Sequence, residues 1–218
     1  MDQIAALSRG IDDIYASQPE SLPFAPELHI RAFVLKRDRG NLLIYSVTDL
    51  SSSRPAIEQF GGISRHYLNH WHEAMFASDW VPAPVFVHDE DLARAKKRMR
   101  VDGSFSKRHA PEPDFEVIPT PGHTPGATAY LWDSGTHRFL FTGDSVFLRD
   151  GEWIAAVLES SDRARYIQSL ELIRELDFDV LVPWAASSGD PYYALTDSAD
   201  TARRIDAILD RLRRGGDH

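Results

Sequence analysis

Apolar residues fall into short runs over most of the chain and into helical steps towards its end. Ala202, Ile205, Ile208, Leu209 and Leu212 recur at three- and four-residue spacing and predict a terminal helix, stopped by Gly215 and Gly216. Tyr166, Ile167, Leu170, Ile173 and Leu176 predict a second amphipathic helix over residues 162–176. Ile4, Leu7, Ile11 and Ile14 show the same steps and predict a short helix docked on the body at the N-terminal end. Asp89 is a good N-cap for a helix reaching about Met99, with Leu92, Ala93 and Met99 as its thin apolar stripe.

Runs bounded by turn residues predict strands at 63–68, 84–87, 115–119, 127–132, 138–142 and 178–182, and a hairpin of 28–35 with 42–46. The segments 17–26, 51–55 and 185–193 are rich in turn residues and predict loops. Residues 101–113 are polar and predict a mobile loop beside the site, with Phe105 and His109 within reach of a substrate.

Composition narrows the function classes. Hydrophobic residues make 43% and charged residues 26%, the balance of a globular protein, and the length suits one domain over 1–218. A net charge of −9 disfavours a nucleic-acid partner, whose phosphates need a basic excess. Without cysteine, disulfides and thiolate ligands are excluded. No apolar run approaches membrane-spanning length and no basic n-region precedes an apolar stretch, so a cytoplasmic protein without a membrane partner is expected. Nothing in the pattern sets an oligomeric state.

The chemistry gathers in three segments. The first is Tyr67-Leu68-Asn69-His70-Trp71-His72-Glu73-Ala74-Met75. In an extended backbone residues i and i+2 point the same way, roughly 7 Å apart, so His70 and His72 can converge on one metal ion. The second is Thr120-Pro121-Gly122-His123-Thr124-Pro125-Gly126, and the third is the apolar strand ending Phe141-Thr142-Gly143-Asp144. His66, four residues before His70, and His29, on a strand face, are expected to lie outside the ligand set. A capping role is expected for His88, and the Glu73 side chain is expected to point away.

In this order the segments resemble those of the metallo-β-lactamase-fold superfamily, whose first motif reads T-H-x-H-x-D-H. The resemblance spans about residues 28–187. It implies an α/β, four-layer αββα sandwich: two mixed sheets face to face with helices outside, and a cleft at one edge. His70, His72 and His123 match three metal ligands, and Asp144 matches the carboxylate between two metals. Asn69 stands for the family's Thr. Ala74 and Met75 replace its Asp and following His, and Val182-Pro183-Trp184-Ala185-Ala186 has Ala185 where a last His is expected. The resemblance thus implies at most one divalent metal, zinc first and iron second, held by His70, His72, His123 and Asp144. Asp144 is also expected to be the catalytic carboxylate, and Trp71, Met75 and Trp184 are expected to wall a substrate-binding side.

Three readings stay open. One is a hydrolase that uses a single metal to activate water against an ester, thioester or amide. The second is a non-catalytic family member, with or without a metal, that binds a small molecule or a partner. The third is an iron oxygenase using His70, His123 and Asp144 as a facial set.

Overall fold

The computed structural model describes residues 7–9, 11 and 14–217. Its main sheet has the order β1 (Leu7–Arg9), β2 (Ile14–Ser17), β5 (Phe33–Leu35), β6 (Leu42–Ile44), β7 (Arg65–Tyr67), β8 (Val85–His88) and β9 (Gly103–Phe105). The second runs β10 (His109–Glu112), β11 (Phe115–Pro119), β12 (Thr128–Asp133), β13 (Arg138–Gly143), β16 (Val180–Pro183) and β18 (Ala194–Leu195). A third, smaller sheet runs β15 (Glu152–Ile154), β14 (Phe147–Arg149), β17 (Ala185–Ser187), β4 (Ala25–Ile30) and β3 (Glu20–Leu22).

The first two sheets are mixed. In the main sheet β6, β7, β8 and β9 pair in parallel and the other pairs are antiparallel. In the second only β13 and β16 pair in parallel.

Alternation along the strands explains the layers. On β12 and β13, Tyr130, Trp132, Phe139 and Phe141 face the main sheet and pack with Phe33, Leu35 and Ile44. Ala129, Leu131 and Leu140 face the other way, onto helices α3 (Arg163–Arg174) and α4 (Ser198–Arg213). Buried on both faces, these strands read as continuous apolar runs rather than as alternation. On the outer face of the main sheet Val85 and Val87 pack with Leu68 and Ala95, the last on helix α2 (Asp89–Ala95). The result is the expected αββα sandwich.

Several expectations are corrected. The N-terminal helix is absent among the described residues: Leu7–Arg9 and Ile14–Ser17 form an antiparallel strand pair, while Ile4 lies outside them. Of the described residues at these steps, Leu7 lies on β1, Ile11 between the strands, and Ile14 on β2, where it is buried together with Ala16. The hairpin forms, with Phe33 opposite Ile44, but residues 28–35 are two strands in different sheets. Residues 101–113 are not a loop: β9 and β10 lie there and pair with β8 and β11. Residues 17–26 hold β3 and the start of β4, and 185–193 opens with β17. His88, rather than Asp89, caps α2: its Nδ1 accepts the Glu90 N–H at 3.2 Å.

The third sheet positions the site. β13 runs from the second sheet into β14 of the third through residues 144–146, and β16 runs into β17 through Trp184. Asp144 and Trp184 therefore sit at two neighbouring crossings between sheets, where the chain leaves the sandwich and the cleft opens.

Candidate metal centre

His70 is extended, with φ −156° and ψ 167°, and heads a 3-10 helix over Trp71–Phe76. The extended alternation expected through His72 is thus replaced by a turn. That turn still brings the two imidazoles together, with ring centroids 5.0 Å apart. It also turns Ala74 into the core beside Leu68 and Val85.

His123 stands on the loop between β11 and β12. Gly122 there has φ +147°, and a Cβ would come within 2.4 Å of the Tyr166 Cα, so the loop lies directly on α3. His70, His72 and His123 form the one group of convergent histidine, aspartate or glutamate donors among the described residues, with ligand atoms within 4.8 Å of one another. Asp144 flanks this group: its Oδ2 is 3.4 Å from His70 Nε2 and 3.6 Å from His123 Nε2.

The hydrogen bonds behind the rings orient them. Asn69 donates its amide to the carbonyls of Thr128 and Thr142, so its Oδ1 faces His70 Nδ1 at 2.9 Å and accepts that N–H. His123 donates Nδ1–H to the Ala156 carbonyl at 2.6 Å. Both rings therefore turn Nε2 to the centre, where His72 Nδ1 lies 3.1 Å from His123 Nε2. His70 Nε2 is buried and has no hydrogen-bond partner. A buried nitrogen that makes no hydrogen bond, aimed at two others and flanked by a carboxylate, is a donor set that fits a divalent metal ion.

Burial opposes a charge on His70, but the Asp144 and Glu73 carboxylates outweigh it and raise the ring to about 10. Burial and the neighbouring rings lower His72 to about 3, and burial with His70 lowers His123 to about 4. Burial works against ionisation of Asp144 as well, yet the histidines hold it below the ordinary carboxylate range. A proton on His70 and a metal ion compete for the same nitrogen.

Residues that the sequence did not mark hold this geometry. Asp91, buried on α2, accepts the Trp71 N–H at 3.0 Å, the Thr124 hydroxyl at 2.6 Å and the Gly126 N–H at 3.1 Å, and so ties both histidine loops together. Tyr166 on α3 donates its hydroxyl to the carbonyls of Asp144, 3.0 Å, and Ser145, 2.9 Å. The Tyr45 hydroxyl donates to the Val182 carbonyl and accepts the Gly143 N–H, both at 2.7 Å. Their only signal in the sequence is an apolar or capping context. Glu73 is buried and faces the backbone of the motif, accepting N–H groups of Asn69 and His70. His66 gives Nε2 to the Tyr45 carbonyl at 2.7 Å and lies outside the ligand group.

A cleft of about 430 Å³ opens over the centre and is lined by His72, His123 and Asp144. Met75, Trp184 and Ala185 line it too. Trp184 is held at 5.5 Å from His70 and 5.3 Å from Phe76 between ring centroids, its N–H donated to the Ser46 carbonyl. Trp71 does not line it. Its ring lies behind His72 at 4.1 Å, under the Arg94 guanidinium, in the cluster with Leu68 and Val85. The turn that points His72 inward sends its neighbour outward. Phe105 and His109 are likewise outside the cleft and pack against each other at the far edge.

The family model for the metallo-beta-lactamase superfamily matches residues 66–185, more than half of the chain. The chain belongs to the metallo-beta-lactamase superfamily. Solved structures of metallo-beta-lactamases share the fold at low identity. One from Pontibacter korlensis is 14% identical with a TM-score of 0.67, covering 94% of this chain and 98% of that one. The DIM-1 metallo-beta-lactamase exposed to ceftazidime is 13% identical, TM-score 0.70, covering 96% and 99%. A metallo-beta-lactamase family protein from Thermus thermophilus is 18% identical, TM-score 0.62, covering 93% and 80%. No curated protein matches the sequence significantly. Among the described residues no helix is long and apolar enough to cross a membrane.

Proposed function

We propose that the chain is a hydrolase that uses one divalent metal ion, zinc first, to act on an ester, thioester or amide. The observation that carries this reading is the convergence of His70, His72 and His123, with the buried His70 Nε2 turned towards the other two rings by Asn69 and making no hydrogen bond, Asp144 Oδ2 lying 3.4 Å away. His70, His72 and His123 would hold the ion, with Asp144 beside it. When bound, the ion supplies Lewis-acid polarisation of a carbonyl and activation of a water molecule near neutral pH. Nothing supports a second ion. Of the positions where the family holds it, Ala74 faces the core, and Met75 and Ala185 put apolar atoms into the cleft.

The remaining work falls to this chain's own groups. Asp144 is ionised, partly exposed and faces the cleft, so it accepts the proton from the attacking water and returns it to the leaving group. Trp184 and Ala185, both buried, exclude bulk water on their side of the cleft and strengthen that electrostatics. Asn69 and the Ala156 carbonyl keep the rings in one orientation.

The test is a pair of variants on zinc-loaded protein with ester and thioester substrates. Asp144→Asn is expected to lose on the order of 10²- to 10⁴-fold in rate, the range for a positioned acid–base group. His72→Ala is expected to lose metal and activity together. Activity retained by His72→Ala, or no turnover by the zinc-loaded wild type, would overturn the hydrolase. The approach of Asp144 to both His70 and His123 also suits a two-histidine, one-carboxylate iron site. Retention of iron over zinc, with dioxygen consumption, would replace the first reading by that one.

A further inference from the structure

The walls of the cleft say more about a ligand than its centre does. Apart from His72, His123, Asp144 and Arg149, every residue that lines it is apolar. Arg149, at the rim, pairs with Glu27 at 2.8 Å in a half-exposed ion pair, so its charge is balanced by a carboxylate of this chain. The walls provide no row of donors and acceptors to pair with a sugar or a peptide backbone.

The mouth continues the same surface. Four large apolar side chains are exposed among the described residues: Phe24 at 77%, Leu195 at 63%, Met75 at 45% and Leu158 at 42%. Three of them, Phe24, Met75 and Leu158, line this one cleft, with Leu22, Leu28 and Phe147 also lining it. Exposed apolar side chains scattered singly carry no meaning, but three gathered at one opening mark a binding surface. They come from three separate parts of the chain: the β3–β4 turn, the turn after His72, and the segment after β15.

We propose that this cleft takes an extended, uncharged acyl chain, so that the substrate is the ester or thioester of a medium-length aliphatic acid. Its carbonyl lies at the histidines and its chain runs out between Trp184 and Phe147 to the mouth. The inference rests on the hydrolase reading for the word substrate, but the acyl site stands on the cleft alone.

Two series separate the two. Binding of hexanamide, octanamide and their shorter homologues is followed by tryptophan fluorescence, with and without zinc. Turnover of p-nitrophenyl acetate, butyrate, hexanoate and octanoate is followed on the zinc-loaded protein. Affinity and kcat/KM are expected to rise by up to about fourfold per methylene, the fold-change that corresponds to about 0.8 kcal/mol per buried CH₂. Met75→Lys and Leu158→Lys lie at exposed positions where a lysine is tolerated, and each is expected to flatten the series. Binding that is independent of chain length would overturn the acyl site, as would a series unchanged in both variants. Length-dependent amide binding without any ester turnover would keep the acyl site and overturn the hydrolase. Turnover that is flat from acetate to octanoate would do the reverse.

Discussion

Replacing Asn69 by alanine removes one side chain that serves three partners at the base of the centre. Its amide donates to the Thr128 and Thr142 carbonyls, the latter at 3.1 Å, and its Oδ1 receives His70 Nδ1–H at 2.9 Å. All of this is buried, Asn69 being fully enclosed. Each bond contributes about 1 kcal/mol net; the Thr142 carbonyl keeps the Ser145 N–H at 3.1 Å, while the Thr128 carbonyl loses the Asn69 amide in a dry site, at a cost of about 1–3 kcal/mol. With some relaxation the variant is expected to lose about 3–4 kcal/mol, a large share of the stability of an ordinary domain. The His70 ring also loses its orientation, and loss of such a supporting bond lowers metal affinity about 10- to 100-fold. Urea unfolding of the metal-free protein measures the first effect, and competition with a zinc chelator at constant pH measures the second. Stability within about 0.5 kcal/mol of wild type, together with zinc affinity within about threefold, would refute the reasoning that Asn69 builds the site.

Other perturbations follow from the same contacts. Gly143→Ala places a Cβ about 2.1 Å from the Asn69 side chain at φ +57°, and is expected to cost at least as much stability as Asn69→Ala, seen as a lowered urea midpoint or insoluble protein. Tyr166→Phe takes the hydroxyl from the Ser145 carbonyl and from the Asp144 carbonyl, which keeps the Ala156 N–H at 3.3 Å, and is expected to lower kcat about tenfold with stability reduced by about 1–2 kcal/mol, measured by ester turnover and thermal unfolding. His66 is buried, which lowers its pKa to about 4, so the unfolded chain takes up a proton there that the native state refuses. Stability is therefore complete above the ordinary histidine pKa of about 6.5 and falls as pH drops from there towards 4, at about 1.4 kcal/mol per unit. Between pH 7 and 5 the wild type is expected to lose about 2 kcal/mol more than His66→Gln in matched urea titrations, and equal losses would contradict the assignment.

Much of the frame was legible because burial leaves a period in the sequence. The strands at Phe115–Pro119 and Arg138–Gly143 are apolar runs cut off by turn residues, and α4 carries a clean helical stripe with Gly215 beyond its end. The failures share a cause. At Leu7 and Ile14 a few apolar residues at mixed spacing suit a helix face or a strand face equally, and only the neighbouring β5 decides. The β9–β10 stretch is polar because it forms sheet edges, which resemble a loop until their partners are seen. His70 and His72 stood out by residue type and spacing, and His123 and Asp144 by the resemblance of their segments to the family's motifs. Asp91, Tyr45 and Tyr166 did not, since their roles depend on partners 20 to 137 positions away in the chain.

The central claim is that three histidines hold one metal ion and that the second position of the family is gone. Elemental mass spectrometry of the purified chain after zinc loading and desalting, beside the His72→Ala variant, tests it directly. The account predicts about one zinc per wild-type chain and a large loss in the variant. Two zinc ions per chain, or none after loading, would contradict it.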